Sequence, residues 1–457
     1  MKKEFIQKIE NTKDILTIVL QKAKNSGLAE VEIYTAYGSS LEVSLEKNDI
    51  NASSYSEETN YGIRVIANHC QGFVTTNDPN TLWESIQEAK TLAIVQNTPD
   101  EAMELPDPID VRSVDGLYLD EIDDVDFEYL VGAAKTSLEE KNLHYPKVNL
   151  DSGNFSLSKG FKLVVSTKGI MAAELNSEMS ANYMGMAVDG DDIGSFDYDY
   201  AIGRNKELFA KNLNHSFSEF LDRCMGGLGA KTISGFKGNI LIPPESVFDF
   251  LGDLLASMTG TQIRRGRSKF GDKMGNQVAS NLLTIFEDAR IPGFSGSTAF
   301  DREGLPTVPK EVIQNGVLKN FFYNHFEAKK AGLKTSLGNA SGGSGSLPSC
   351  GPKQLEIMPG ETSLAEMLKQ TKTILVNRFS GSSDTSSGDF SGVVKGGFLL
   401  DGSSKIPIKE TLISGNIYGV LNQIAFVSRE RKLLYSSSLV PWILIEGIDI
   451  VGTDENS

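Results

Sequence analysis

The chain has 457 residues, of which 40% are hydrophobic and 44 are glycine. At roughly 100–200 residues per domain this is material for two to four domains and at least one large core. Its 44 basic and 60 acidic residues leave a net charge of −16, which repels a phosphate backbone as a whole, so no direct nucleic-acid partner is expected away from a local basic patch.

At the N-terminus, Glu4, Glu10 and Asp14 interrupt the apolar positions, and the longest apolar run, about six residues, is too short for a signal peptide. Nothing approaches the roughly 18 continuous apolar residues of a membrane span. Three distant cysteines, Cys70, Cys224 and Cys350, form no CxxC and suit a reducing compartment. The expectation is a soluble, cytoplasmic protein that makes no membrane contact.

Residues 4–25 place Phe5, Ile9, Leu16, Val19, Leu20 and Ala23 at helical spacing, and Gly27 stops the pattern. VEIYTAY and LEVSLEK alternate as strands, and YGIRVIANHCQGFVTTN reads as a hairpin turning at NHCQG. Asn80 is placed to cap a helix through Trp83, Ile86, Ala89, Leu92 and Ala93, closing an N-terminal α+β region at 1–97. Residues 98–128 hold twelve Asp or Glu and a single Arg, so 98–123 is expected to be an exposed acidic linker.

A helix from Asp124, short β patterns and a second amphipathic helix through Leu208, Leu213, Phe217, Phe220 and Leu221 make a central α/β segment at 124–228. The glycine-rich MGGLGAK (225–231) marks a junction, after which 229–457 forms a C-terminal β-rich domain. There Pro243-Pro244 opens a helix burying Val247, Phe248, Leu251, Leu254, Leu255 and Met258. Asn315-Gly316 and Asp401-Gly402 signal hairpins, Ser363 and Glu366 have capping-box spacing, and 341–352 and 380–392 read as flexible loops. Helices and hairpins are segregated, which predicts an α+β fold with a C-terminal domain dominated by antiparallel sheet.

Most chemical motifs fail on spacing. His69, His144, His215 and His325 give no HExxH or HxH pair. DGDDIGSFDYDY (189–200) lacks the bidentate glutamate of a calcium loop and reads as a solvated acidic turn. GGLGAKT (226–232) lacks the glycine before the lysine of a phosphate loop, and no G-x-S-x-G elbow occurs. Two charged segments remain. IRRGRSKFGDKM (263–274) concentrates Arg264, Arg265, Arg267, Lys269 and Lys273, a patch suited to a carboxylate, a phosphate or an acidic partner. FDREGLPT (300–307) sets Asp301, Arg302 and Glu303 before a glycine turn, either to position a substrate backbone or as a salt-bridged turn.

Several segments in order, among them 61–78, 264–288, 297–307, 312–340 and 387–416, resemble the TldD/PmbA family, whose members carry the names of DNA gyrase modulators and of peptidases. The resemblance implies that the TldD branch is a zinc peptidase, with a His-Glu-x-x-x-His helix just before the RRG segment and a C-terminal cysteine completing the metal site. Counted back from Arg264, those motif positions fall here on Leu251, Gly252 and Ala256, and no cysteine follows Cys350. The chain therefore resembles the PmbA/TldE branch, which lacks the zinc motif. That likeness implies a subunit with no catalytic residue and no cofactor of its own, paired as a heterodimer with a zinc-bearing TldD-type paralogue and acting on extended peptides. It also allows a homodimer in isolation. Within it, Arg264, Arg265, Arg267, Asp301, Arg302 and Glu303 are the candidates for lining a substrate channel. The alternatives are a peptidase active by itself through scattered ligands and a regulatory protein that contacts gyrase or an antitoxin.

Overall fold

The structure is a computed structural model and describes residues 2–96, 98–384 and 386–453. The N-terminal half runs α1 (Lys2–Asn25), β1 (Glu30–Glu46), β2 (Asp49–Ala67), β3 (Cys70–Thr76), α2 (Leu82–Gln96), α3 (Phe127–His144), β4 (Val148–Ser166), β5 (Met171–Asp189), β6 (Asp192–Ile193), β7 (Asp197–Gly203) and α4 (Lys206–Gly226). Among the described residues its strands make one seven-stranded antiparallel sheet in the order β3-β2-β1-β4-β5-β6, with β7 also paired to β5. Pairing of β1 with β4, from Glu32 opposite Ser166 to Glu46 opposite Ser152, joins the segments 1–97 and 124–228 in this one sheet. The central segment thus contributes antiparallel strands and no βαβ unit.

Side-chain alternation assigns the two faces. Val31, Ile33 and Tyr37 of β1, with Ile63, Phe161 and Leu163 of its neighbours, pack beneath α1 and α2. Further along the same strands and on the same face, Val43, Leu45, Phe155 and Leu157 pack beneath α3 and α4. All four helices therefore cover one face. The opposite face, through Tyr34, Val164 and Ala172, meets Ala299 and Phe300 of the C-terminal half.

That half begins with β8 (Phe236–Ile242), α5 (Pro244–Ser257), α6 (Gly260–Arg264) and, later, α7 (His325–Lys330). β8 lies inside a nine-stranded sheet whose pairs are antiparallel except where Thr373–Leu375 runs parallel to it. A four-stranded sheet contains the Asn315-Gly316 hairpin, whose two turn residues take the positive φ that the sequence anticipates. One large core, from Ile240 and Leu251 to Ile450, unites these elements. The α+β class follows. No helix among the described residues is long and apolar enough to cross a membrane.

Four expectations change. The acidic stretch 98–123 is tied down, because Leu105, Leu117, Tyr118 and Ile122 are buried and Asp123 pairs with Lys159. Asp78, rather than Asn80, caps the turn that precedes α2. In DGDDIGSFDYDY, Asp197 and Asp199 are buried on β7 and held by Arg223, and Arg378 reaches Asp197 from the C-terminal sheet. The loop 341–352 is pinned at both ends, where Ala340–Ser341 pairs with Ser349–Cys350.

Candidate functional site

Helix α5 starts where Pro243 and Pro244 supply preset φ values and Pro244 needs no donor. Val247, Phe250, Leu251, Leu254 and Leu255 recur at helical spacing and face the core. Leu251 is 3% exposed, and burying a leucine to that degree contributes about 1.5–3 kcal/mol. Gly252 and Ala256, four residues apart, lie on the outward stripe, and a Cβ at Gly252 would meet nothing within 4 Å. They form one wall of an open groove of about 550 Å³. The start of α6 through Thr261 and Gln262, the segment Ser349–Lys353, and Ser438 from the C-terminal hairpin complete it.

The groove's polar groups are largely engaged. The Cys350 Sγ accepts the Asn324 backbone N–H at 3.1 Å and lies 3.8 Å from the Thr261 hydroxyl oxygen. Burial pushes this thiol's pKa up, so it rests as the neutral thiol and not as a nucleophilic thiolate. Lys353 Nζ donates to the Ala340 carbonyl at 2.5 Å and to the Ser341 hydroxyl at 3.2 Å, and burial draws its pKa down. Zinc binds nitrogen, oxygen or sulfur donors. Leu251, Gly252 and Ala256 carry none in their side chains, and no cluster of three or more His, Cys, Asp or Glu among the described residues is placed to hold a metal. The residues of this groove do not fit a zinc ion.

The basic loop divides into one fixed and two free arginines. Arg264 grips Glu327 of α7 with its Nε and Nη2 at 2.8 and 2.9 Å, and its guanidinium lies over Phe326. The Glu327 carboxylate, 4% exposed, depends on that fork and on the Thr261 hydroxyl. Arg265 and Arg267 project into solvent with no side-chain partner among the described residues. Gly266, at φ +66°, turns the chain so that the Arg267 N–H returns to the Gln262 carbonyl at 2.9 Å, which keeps both arginines beside the groove.

The second charged segment is a correction. Asp301, Arg302 and Glu303 are 2%, 2% and 1% exposed and cannot line a channel in this arrangement. They close the seam between the halves. Arg302 Nη1 donates to Glu32 at 2.9 Å, and Arg64 Nη2 donates to Glu32 at 2.7 Å and to Glu303 at 3.0 Å. The His325 backbone N–H reaches Glu303 at 2.7 Å. Burial alone would raise the Glu32 pKa, but Arg64 and Arg302 hold it below the usual carboxylate range. Asp301, with no cation in hydrogen-bond reach among the described residues, is raised to about 6 by burial and then by Glu303. Gly304 is required at φ +79°, since a Cβ there would sit 2.6 Å from the Ile170 side chain. Sequence reasoning missed Glu32 and Arg64, which face each other across β1 and β2. Their signal was a lone charge in each of two short segments, Glu32 in VEIYTAY (31–37) and Arg64 in GIRVIA (62–67).

Residues 235–452 match the model of the PmbA/TldA metallopeptidase C-terminal domain, and residues 31–94 match PmbA/TldA metallopeptidase domain 1. The chain belongs to the PmbA/TldD family. It is 27% identical to an uncharacterized protein of Methanocaldococcus jannaschii over 88% of this chain and 93% of that one. It is 24% identical to metalloprotease PmbA of Escherichia coli O157:H7, covering 97% and 99% of the two chains. In fold it is similar to TldE from Thermococcus kodakarensis, with a TM-score of 0.85 at 21% identity over 96% of this chain and 100% of that one.

Proposed function

We propose that this member of a metallopeptidase family is the metal-free subunit of a peptidase complex. Its groove is one wall of a channel for extended peptides, and a zinc-bearing TldD-type paralogue supplies the metal and the attacking water. The single observation that carries the reading is the division of α5: Leu251 is committed to the core while Gly252 and Ala256, which carry no side-chain donor atom, face an open groove. An open trough survives where the motif positions offer no ligands, which suits holding a chain better than cutting it. Cys350 as a neutral thiol and Lys353 engaged with a carbonyl and a hydroxyl supply no substitute nucleophile and base.

The test is hydrolysis of an unstructured peptide by this chain alone, by the paralogue alone and by the equimolar mixture, each with and without chelator. Chelator-sensitive activity that needs the mixture is the expected result. Chelator-sensitive hydrolysis by this chain alone overturns the reading and reopens a search for ligands far apart in sequence.

A further inference from the structure

We propose that the groove selects peptides that carry carboxylate groups, which Arg265 and Arg267 capture at its mouth. The inference rests on the reading that the groove accepts peptide, and it names the class. Three observations lead to it. First, the residues lining the groove include Lys353 and no Asp or Glu, so the wall carries no carboxylate to repel an acidic chain. Second, several carboxylates near the basic loop are already committed. Glu327 is held by Arg264, Asp272 by Lys273 at 3.2 Å and Asp100 by Lys330 at 2.9 Å. Asp253, next to Gly252 on α5, accepts the Ser383 hydroxyl at 2.6 Å and so turns toward the strand Arg378–Ser383.

Third, Arg265 and Arg267 are exposed and unpaired among the described residues, while the backbone bond from Arg267 to Gln262 fixes them beside a groove residue. A guanidinium offers a planar fork of donors that matches a carboxylate. The surrounding charge of −16 makes this loop a local exception, so binding of an acidic segment depends on these side chains and not on a general field. The same chemistry accepts a peptide's Asp or Glu side chains or its free C-terminus.

Three unstructured ten-residue peptides on a glycine–serine background, each labelled with a neutral dye, separate these cases. One carries four glutamates and a free C-terminus, the second the same glutamates with an amidated end, and the third four glutamines and an amidated end. Fluorescence anisotropy with the full chain at low salt is expected to show the glutamate peptides bound about tenfold more tightly than the glutamine peptide. The Arg265→Glu/Arg267→Glu double variant is expected to remove that difference. A preference that needs the free C-terminus assigns the loop to the terminal carboxylate and supports the proposal. Equal binding of all three overturns it while leaving peptide binding intact. A preference that persists in the double variant overturns the assignment to this loop, and failure to bind any of the three overturns both this proposal and the peptide groove.

Discussion

The loops at 264–267 and 301–303 look alike as sequence, each a short run of charge beside a glycine, yet the fold treats them in opposite ways. Arg302 is wrapped by the first sheet and spends its guanidinium on Glu32 and on the Gly343 carbonyl. Arg265 and Arg267 stand in solvent beside the groove. The difference teaches that a charged motif takes its role from what packs over it. A buried pair is dangerous to break because the remaining charge has no water to turn to, whereas an exposed one is replaced at little cost.

Substitutions can test that contrast directly. Arg302→Ala strips Glu32 of one of its two arginines inside the seam and should cost about 3–5 kcal/mol in urea unfolding. A loss under 1 kcal/mol would mean the seam relaxes or admits water. Arg264→Ala, which leaves the buried Glu327 carboxylate with only the Thr261 hydroxyl, should cost about 1–3 kcal/mol by the same measurement. Neighbouring Arg265→Ala and Arg267→Ala should stay within about 0.5 kcal/mol of the parent. If Arg265→Ala destabilised as much as Arg264→Ala, the division of the loop into fixed and free arginines would be wrong.

A smaller effect concerns pH. His325 sits in the seam with Glu303, Glu104, Arg64 and Lys168 around it, and burial sets its pKa below the ordinary 6.5. The unfolded chain therefore takes up this proton first, so the His325 contribution drains stability as pH falls below 6.5. Asp301, raised to about 6, acts with the opposite sign: the folded state holds its proton more tightly, and stability falls as pH rises from about 4 to 6. Comparing the parent with His325→Gln in urea at several pH values isolates the first term. The variant should lose less stability than the parent between pH 6.5 and 5, and parallel curves would show that His325 has the same pKa folded as unfolded.

Much of the framework was readable in advance because it depends on local rules. The Asn68-His69 and Asn315-Gly316 turns take positive φ where a tight hairpin demands it. The capping box at Ser363 and Glu366 forms as spaced. The apolar period of α5 placed Leu251 in the core and left Gly252 and Ala256 outside it. What escaped was long-range. The acidic stretch looked solvated because nothing local shows that Leu105 and Tyr118 find the first sheet, or that Asp123 finds Lys159 some 36 residues away.

By itself, then, the sequence determined the local elements, the family likeness and the lack of side-chain donors at the three motif positions on α5, since each follows from residue type and short spacing. Only the tertiary structure decided which charges are sealed and which are free. Alternation along a strand says which side chains share a face, but whether water or the C-terminal half lies over that face depends on contacts such as that of Glu32 with Arg302, which are 270 residues apart in the chain.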